Sequence, residues 1–327
     1  MKWGLALALL AGLVAAVWLV MAIGFSAVLQ SVARAGLGGL ALLCVFSLLL
    51  TGILALAWKA VLPPDVNPGA RHSMPTFMLA RMVREAISEI SPFSPVGGMV
   101  AAARLMILSG MEGRYAAASV VADATTEAMA QVAFLAFGLA LGALHFRQLP
   151  SAGPMTGALL ITLLLAIPAI AVMILLQKRG ANFAERLAER FFPQVRTGAS
   201  FSDAIHHLYD SHARLAASAS LHLLAWLASG VGTYIAFILV GGHISLLDGL
   251  ALEAMLCTLR SVAFFMPAAI GVQEAGYALL APLFGLPAEM GLAVSLLKRA
   301  REIVIGVPAL IYWQGVESRN ALVARND

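Results

Sequence analysis

Long apolar runs separated by short polar segments dominate the chain, and most runs have the length that a helix needs to cross a bilayer. About 20 apolar residues in a helix span the roughly 30 Å hydrocarbon core. The runs predict about six spans, at residues 3–23, 37–61, 114–145, 155–176 and 215–240 and in the helix that ends near residue 313. These runs far exceed the roughly 10-residue strands of a membrane barrel and do not alternate with period two, so the spans are expected to be helices.

Composition supports this class, because 61% of the 327 residues are hydrophobic, only 12% are charged and the mean hydropathy is +0.90. A soluble domain usually carries about 25% charged residues. We therefore predict an all-α, polytopic helical membrane protein with one transmembrane domain over residues 1–327, whose first span is not cleaved. The net charge of +4 does not indicate nucleic acid binding, because no basic block is interleaved with aromatic residues. Cys44 and Cys257 lie alone in apolar runs, so neither a disulfide nor a thiolate metal site is expected.

Two apolar segments are interrupted by proline and glycine, one within residues 75–109 and one within residues 247–286. Such breaks leave backbone N–H and C=O groups unpaired, which at membrane depth is tolerated only inside protein or beside water. They predict two re-entrant hairpins, turning at 94–98 and 267–271. For the first segment, a charged cytoplasmic helix followed by an ordinary loop remains an alternative.

Each break is followed by a half-helix whose N-terminus is expected near a glycine, Gly98 in the first case and Gly271 in the second. Free N–H groups and the positive end of a helix dipole favour an anion. Arg104 and Arg299 are expected to add positive charge nearby. Glu274 opposes this interpretation, since at the third position of its half-helix it is either a cap or a proton- or cation-coupling group.

Two longer helices carry charges in apolar surroundings. In residues 114–145, polar side chains recur every four residues and therefore line one face. This stripe consists of Ser119, Asp123, Glu127 and Gln131, and the last helix carries Lys298, Arg299, Arg301 and Glu302. Because charges within a membrane helix normally face the protein interior, the acidic stripe is expected to face the basic cluster. Two alternatives remain: a stripe solvated in the headgroup layer, and ion pairs with a structural role only.

The charged segments between the spans predict how the protein is oriented in the membrane. Residues 177–213 are rich in lysine and arginine, which places this linker and the N-terminus in the cytoplasm by the positive-inside rule. Residues 25–35 predict a short interfacial helix and residues 62–74 a loop. Three histidines and an aspartate within 206–212 have spacings that a metal could use, but this amphipathic helix is expected to be solvated, so no metal site is predicted.

The two interrupted segments share one order of features: a helix, a Pro/Gly break, a half-helix, a glycine and a charged helix. A shift of 175 positions places Gly110 on Gly285, Asp123 on Lys298 and Glu127 on Glu302. The pattern predicts repeat units at 75–146 and 247–313 that are arranged with inverted topology, as in many transporters.

The motifs in these units resemble a known family. They are Ser94-Pro95-Val-Gly97-Gly98, Ser119-Val-Val-Ala-Asp123, Gly271-Val-Gln273-Glu274-Ala-Gly276 and Leu297-Lys298-Arg299-Ala-Arg301-Glu302. They are similar to the flippase-like transmembrane region of lysylphosphatidylglycerol synthases, and in particular to its stand-alone members associated with hopanoid biosynthesis. The resemblance implies a multi-pass protein of the bacterial inner membrane that moves or presents a lipid. No aminoacyl-transferase domain follows Asp327, so lysine transfer is not expected of this chain.

The combined expectation is a lipid flippase or transporter that binds a membrane lipid with a polar or anionic headgroup. The alternatives are a non-catalytic subunit that docks lipid-biosynthesis enzymes and a membrane-embedded lipid-modifying enzyme. No nucleophile beside a base is recognisable, so no catalytic residue, cofactor or metal is predicted. The predicted substrate-binding residues are Pro95, Gly97, Gly98, Arg104, Asp123, Glu127, Arg260, Pro267, Gly271, Gln273, Glu274, Lys298, Arg299, Arg301 and Glu302.

Overall fold

The computed structural model describes residues 25–66, 73–90, 95–147, 198–262 and 269–326, and in these ranges it contains helices and turns but no strand. The helices are α1 (Phe25–Ala60), α2 (Met74–Ile90), α3 (Pro95–Leu108), α4 (Gly113–Phe146), α5 (Gly198–Tyr209), α6 (His212–Leu239), α7 (Leu246–Val262), α8 (Val272–Leu280) and α9 (Ala288–Asn326). Short 3-10 helices occupy Pro64–Val66 and Ala281–Phe284. The predicted all-α class is confirmed.

Three of the described helices are long and apolar enough to cross a membrane: Leu29–Ala60, Gly113–Phe146 and His212–Leu239. They correspond to the spans predicted at 37–61, 114–145 and 215–240. The predicted spans at 3–23 and 155–176 lie outside the described residues, as do residue 94 of the first predicted hairpin turn and residues 267–268 of the second.

Helix breaks occur where the sequence placed them. Gly36 has φ of 58° inside α1, so the predicted short helix at 25–35 is separate from the span that follows. Helix α3 has 14 residues and α8 has 9, which at 1.5 Å per residue gives about 21 and 14 Å, too short to cross the hydrocarbon core. These lengths suit the predicted hairpins, and re-entry from one membrane face stays a prediction.

The helix bounds recur with the spacing of the predicted repeat. Helices α4 and α9 begin 175 residues apart, and each is preceded by a glycine with positive φ, Gly110 at 98° and Gly285 at 75°. With the same shift of 175 positions, the break at Gly36 corresponds to Ser211, one of the two residues between α5 and α6. The same order of elements thus extends on the N-terminal side of both predicted units.

Helix packing follows a reciprocal pattern. Helix α2 packs against α9, and its counterpart α7 packs against α4. Similarly, α1 packs against α9 while α6 packs against α4, and α1 packs directly against its own counterpart α6. Reciprocal contacts of this kind are expected when two equivalent units are related by a two-fold axis. We define unit 1 as α1–α4 and unit 2 as α6–α9.

The two largest of the three apolar cores in the described residues lie mainly in these units. The first surrounds Trp58, Phe77 and Met106, and the second surrounds Phe237 and Leu252. Helix α5 belongs to the first core through its four buried side chains, which are Phe201, Ala204, Ile205 and Leu208. The structure has the expected amphipathic helix around residue 206: its apolar face packs against α4, while His206 and the following Asp210 are exposed.

Close helix contact makes one glycine of α9 sensitive to substitution. A Cβ at Gly291 would lie 2.2 Å from the carbonyl oxygen of Tyr277, whereas a Cβ at Gly315 in the same helix would meet nothing within 4 Å. We expect Gly291→Ala to lower the free energy of unfolding by about 1–3 kcal/mol, because α8 and α9 must separate. Gly315→Ala is the matched control and should be neutral or stabilising by up to about 1 kcal/mol. Thermal unfolding in detergent measures both, and equal melting temperatures for the two variants would contradict the close contact.

Candidate functional site

A cavity of about 210 Å³ lies among helices of both units. Its lining comes from α1, α2, α4, α6, α7 and α9 and includes nine charged side chains. These are Arg81, Glu85, Glu89, Glu127, Glu253, Arg260, Lys298, Arg301 and Glu302. Since charges are costly at membrane depth, such a concentration marks the cavity as the candidate site.

The first charge network joins α2 to α4. Arg81 Nη1 and Arg84 Nη1 both donate to Oδ2 of Asp123, at 3.0 and 2.6 Å. The second nitrogen of each guanidinium donates to Glu127, at 2.8 Å from Arg84, while Arg81 also pairs with Glu85 at 2.9 Å. The spacings of three on α2 and four on α4 put two cations opposite two carboxylates. The side chains of Arg81 and Asp123 are 1% and 0% exposed, so this is a buried network.

This network corrects a prediction. Asp123 and Glu127 were expected to face Lys298, Arg299 and Arg301, but their cations are supplied by α2 of their own unit. Both cations, Arg81 and Arg84, lie in the segment of the first predicted hairpin. Matching their spacing of three residues with the spacing of four in the acidic stripe would have predicted this pairing.

The first network also contains a histidine that was not among the predicted site residues. His222 Nε2 lies 2.9 Å from Oδ1 of Asp123, and both side chains are 0% exposed. The only signal for His222 in the sequence was a polar residue inside a predicted span, which by itself is a weak indication of a site.

The second network surrounds Lys298 on α9. Its Nζ donates to Glu253 Oε2 at 2.9 Å, to the Tyr277 hydroxyl at 2.7 Å and to Thr233 Oγ1 at 3.1 Å. Glu253 also accepts hydrogen bonds from Ser229 at 2.7 Å, Thr233 at 2.5 Å and Tyr277 at 2.8 Å. Glu253 was not among the predicted site residues, although a carboxylate in the apolar run of α7 was a signal for it.

The third network contains the rest of the basic cluster. Arg299 Nε donates to Glu274 at 3.1 Å, and Glu302 pairs with Arg299 at 3.2 Å and with Arg301 at 3.0 Å. Arg301 also donates to Ser47 Oγ of α1 at 3.0 Å. Every residue of the predicted cluster is thus held by a named partner.

Glu274 is a cap in this structure. Its Oε2 accepts the backbone N–H of Gly271 at 2.8 Å. The prediction that this N–H is available to an anion is therefore wrong, because a carboxylate of the same helix already occupies it. The neighbouring Gln273 is fully buried and lies 3.4 Å from Ser295 Oγ, and it does not line the cavity.

The remaining predicted residues separate into several locations. Gly98 lies in the first turn of α3, where its Cα is so close to α2 that an added Cβ would be 2.5 Å from the Arg84 carbonyl oxygen. Arg104 pairs with Glu317 of α9 at 2.9 Å and does not line the cavity. Neither Gly98 nor Arg104 is among the residues that line the cavity. Pro95 and Gly97 begin α3, and Pro267 lies outside the described residues.

Arg260 does reach the cavity, and it links the units. Its Nη2 contacts both carboxylate oxygens of Glu89, at 2.6 and 2.7 Å. Both residues are near the C-terminal ends of their helices, α7 and α2, just before the predicted hairpin turns. The residues that the structure describes contain no group of three or more His, Cys, Asp or Glu side chains that could hold a metal.

Comparison with known proteins agrees with this architecture. No curated protein and no solved structure matches the chain. Residues 3–309 match the family described as the lysylphosphatidylglycerol synthase TM region. The match covers most of the 327 residues, including unit 1, unit 2 as far as residue 309 and every residue that lines the cavity. The chain therefore belongs to the lysylphosphatidylglycerol synthase transmembrane-region family.

Proposed function

We propose that this protein is a lipid flippase or transporter of the bacterial inner membrane, linked to hopanoid or polar-lipid metabolism. The observation that carries the proposal is the charged cavity between two reciprocally packed units. A polar headgroup would enter this cavity while the apolar tails remain in the bilayer. The membrane location and the link to lipids agree with the family.

The cost of moving a headgroup supports a protein route of this kind. A charged side chain at the centre of a membrane helix costs about 2.5–3.5 kcal/mol on insertion scales, and a charged headgroup meets a similar barrier in hydrocarbon. Paired charges around a cavity provide both donors and acceptors for such a group. Transporters commonly bind substrates between inverted repeats, which is the arrangement proposed for units 1 and 2.

The charged side chains that line the cavity determine how an anionic headgroup would have to bind. The cavity contains five carboxylates and four cations, so an anionic headgroup must displace a carboxylate from its cation before it can bind. Arg301 is the candidate for such an exchange, because its contacts are Glu302 and the neutral Ser47. The proposal assigns no catalytic step to the chain.

A pair of substitutions on α1 tests the route. Leu50 lines the cavity, and the adjacent Leu49 is 66% exposed on the outside. Leu50→Trp is expected to slow headgroup translocation about tenfold, equivalent to about 1.4 kcal/mol, because it fills the cavity and leaves all ion pairs intact. Leu49→Trp is the matched control and should keep the parent rate. Purified protein in liposomes, with fluorescent anionic and zwitterionic lipids followed by chemical quenching, provides the measurement.

The same assay separates the three expected functions. Translocation without chemical change supports the proposal, a modified lipid indicates an enzyme, and activity only with an added biosynthetic partner indicates a subunit. If Leu49→Trp and Leu50→Trp slow translocation equally, the headgroup does not pass through this cavity.

A further inference from the structure

Every charged side chain that lines the cavity is paired with one of opposite sign. Each of the four lining cations forms an ion pair with a carboxylate that also lines the cavity. The fifth lining carboxylate, Glu127, is bonded to Arg81 and Arg84. A headgroup that brings a net charge must therefore open one of these pairs, which leaves a charge in a low-dielectric interior without its counter-ion. A neutral headgroup avoids this cost.

Two N–H donors of the cavity lining have no acceptor within the described part of the chain. Nε1 of Trp226 and Nε of Arg81 are buried atoms without a hydrogen-bond partner there, and both residues line the cavity. The Trp226 ring is held by stacking on the fully buried Phe134, with ring centroids 5.7 Å apart. Since buried donors are normally satisfied by protein, water or a ligand, these two indicate a binding place for an acceptor oxygen.

The same lining supplies acceptors. Ser229 Oγ donates to a carboxylate at 2.7 Å and Thr51 Oγ1 donates to the Ser47 carbonyl at 2.9 Å, so each hydroxyl oxygen keeps lone pairs for a further donor. The carboxylate of Glu85 is paired with Arg81 and is 41% exposed, so it retains acceptor sites as well. The cavity thus offers donors and acceptors together, and a hydroxyl group can use both because it donates and accepts.

We propose that the cavity selects a neutral headgroup with several hydroxyl groups, a sugar or a short polyol, and that Trp226 Nε1 donates to one of its oxygens. The hydroxyl protons of this headgroup bond to carboxylates of the lining while the ion pairs stay closed. The cavity volume of about 210 Å³ is more than ten times the roughly 10–15 Å³ that one water needs, so several hydroxyl groups fit. Movement of the lipid rests on the proposed function, whereas binding of its headgroup does not.

Charged headgroups fit this lining less well. An anion can accept from the Trp226 N–H, but it also meets five carboxylates and must open an ion pair to gain a cation. A cation is attracted to carboxylates and to the face of an indole ring, but it gains nothing from the two unpartnered N–H donors. A hydroxyl group uses the donors and the carboxylates at the same time. Selectivity for the headgroup is therefore expected to depend on the indole N–H and not on the aromatic ring.

Trp226→Phe isolates the contribution of this N–H. Phenylalanine keeps an aromatic ring against Phe134, which a cation can still contact, but it removes the Nε1 donor. Trp313→Phe on α9 is the matched control. Nε1 of Trp313 is likewise buried without a partner among the described residues, and Trp313 is not among the residues that line the cavity. Melting temperatures in detergent check that both variants fold.

Equilibrium binding of radiolabelled short-chain lipids to the full-length protein, in a detergent without sugar groups, tests the headgroup class. The probes are glucosyl-dioctanoylglycerol, dioctanoyl phosphatidate and dioctanoyl phosphatidylcholine, whose headgroups are a neutral sugar, an anion and a zwitterion. The glucosyl lipid should bind the parent about tenfold more tightly than the other two, because it opens no ion pair. Trp226→Phe should weaken its binding about three- to tenfold, the range for one neutral hydrogen bond, and Trp313→Phe by less than about twofold.

Two results would overturn the proposal. If the parent binds the phosphatidate or the phosphatidylcholine as tightly as the glucosyl lipid, the cavity does not select a neutral headgroup, whatever the variants do. If Trp226→Phe and Trp313→Phe weaken binding of the glucosyl lipid equally, the indole N–H of Trp226 does not contact the headgroup.

Translocation in liposomes separates this proposal from the proposed function. The parent should move a fluorescent glucosyl lipid faster than a fluorescent phosphatidate, and Trp226→Phe should lower the ratio of these two rates while Trp313→Phe keeps it. A parent that moves the anionic lipid at least as fast supports transport but overturns selection of a neutral headgroup. A parent that moves no lipid under any condition contradicts the proposed function instead, and the binding constants still decide which headgroup the cavity holds.

Discussion

Asp123→Asn is expected to destabilise the protein by about 3–5 kcal/mol, the range for removing one partner of a buried ion pair. The carboxylate is 0% exposed and receives hydrogen bonds from Arg81, Arg84 and His222. Asparagine keeps the shape but removes the charge and places an NH2 group where one of these donors now binds. Two buried guanidinium groups would then share the remaining carboxylates of the network.

The loss is measured as the free energy of unfolding in mild detergent, with monodisperse yield as a second readout. Asp210→Asn, at an exposed position after α5, is the control and should change stability by less than about 0.5 kcal/mol. Adding Arg84→Gln to Asp123→Asn should recover part of the loss, because it removes one of the unpaired cations. A loss no larger than that of Asp210→Asn would mean that Asp123 is not part of a buried network.

The helices could be predicted well because local sequence determines them. Proline and glycine mark the end of α2 and the start of α3, and glycine marks the break at Gly36. The apolar runs give the long helices, and the spacing of 175 residues gives the order in which short and long helices recur. These features depend on neighbouring residues, so they can be seen before any tertiary contact is known.

The pairing of charges could not be predicted in the same way. Asp123 and Lys298 occupy equivalent positions in the two units, and opposite charge at equivalent positions suggested that they meet. In the structure, each instead pairs inside its own unit, Asp123 with α2 and Lys298 with α7. The polarity is reversed between units, since unit 1 has its cations on the first hairpin helix and unit 2 has its carboxylate there. Choosing between these pairings required the rotation of each helix, which a hydropathy pattern does not give.

The prediction of an open anion site at Gly271 failed for a related reason. A half-helix N-terminus offers donors to any anion, and the chain supplies its own in Glu274. The sequence left the choice between a cap and a coupling group open, and the 2.8 Å contact with Gly271 establishes the cap. In the proposed function, a headgroup would therefore be held by the cavity lining and not by the N-terminus of α8.

The pairing of Lys298 with Glu253 leads to the second large effect. Lys298→Met and Glu253→Gln are each expected to cost about 3–5 kcal/mol, because each leaves a buried charge without its counter-ion. Glu253→Gln should be the more harmful, since Lys298 would keep only neutral acceptors, namely the amide oxygen of the new glutamine and the Tyr277 and Thr233 oxygens. After Lys298→Met, Glu253 would still accept hydrogen bonds from three hydroxyl groups.

A double-mutant cycle on the free energy of unfolding distinguishes the observed pairing from the one that the sequence suggested. The combined Glu253→Gln and Lys298→Met variant should lose less than the sum of the single losses, by about 1–3 kcal/mol, because neither charge is left alone. Asp123→Asn combined with Lys298→Met should be additive within about 0.5 kcal/mol, since these residues share no partner. An additive first cycle and a strongly coupled second cycle would restore the interface predicted from the repeat. The opposite result establishes that Asp123 and Lys298 are each neutralised by an ion-pair partner in their own unit, so that a movement of unit 1 against unit 2 would separate Arg260 from Glu89 but neither of these two buried pairs.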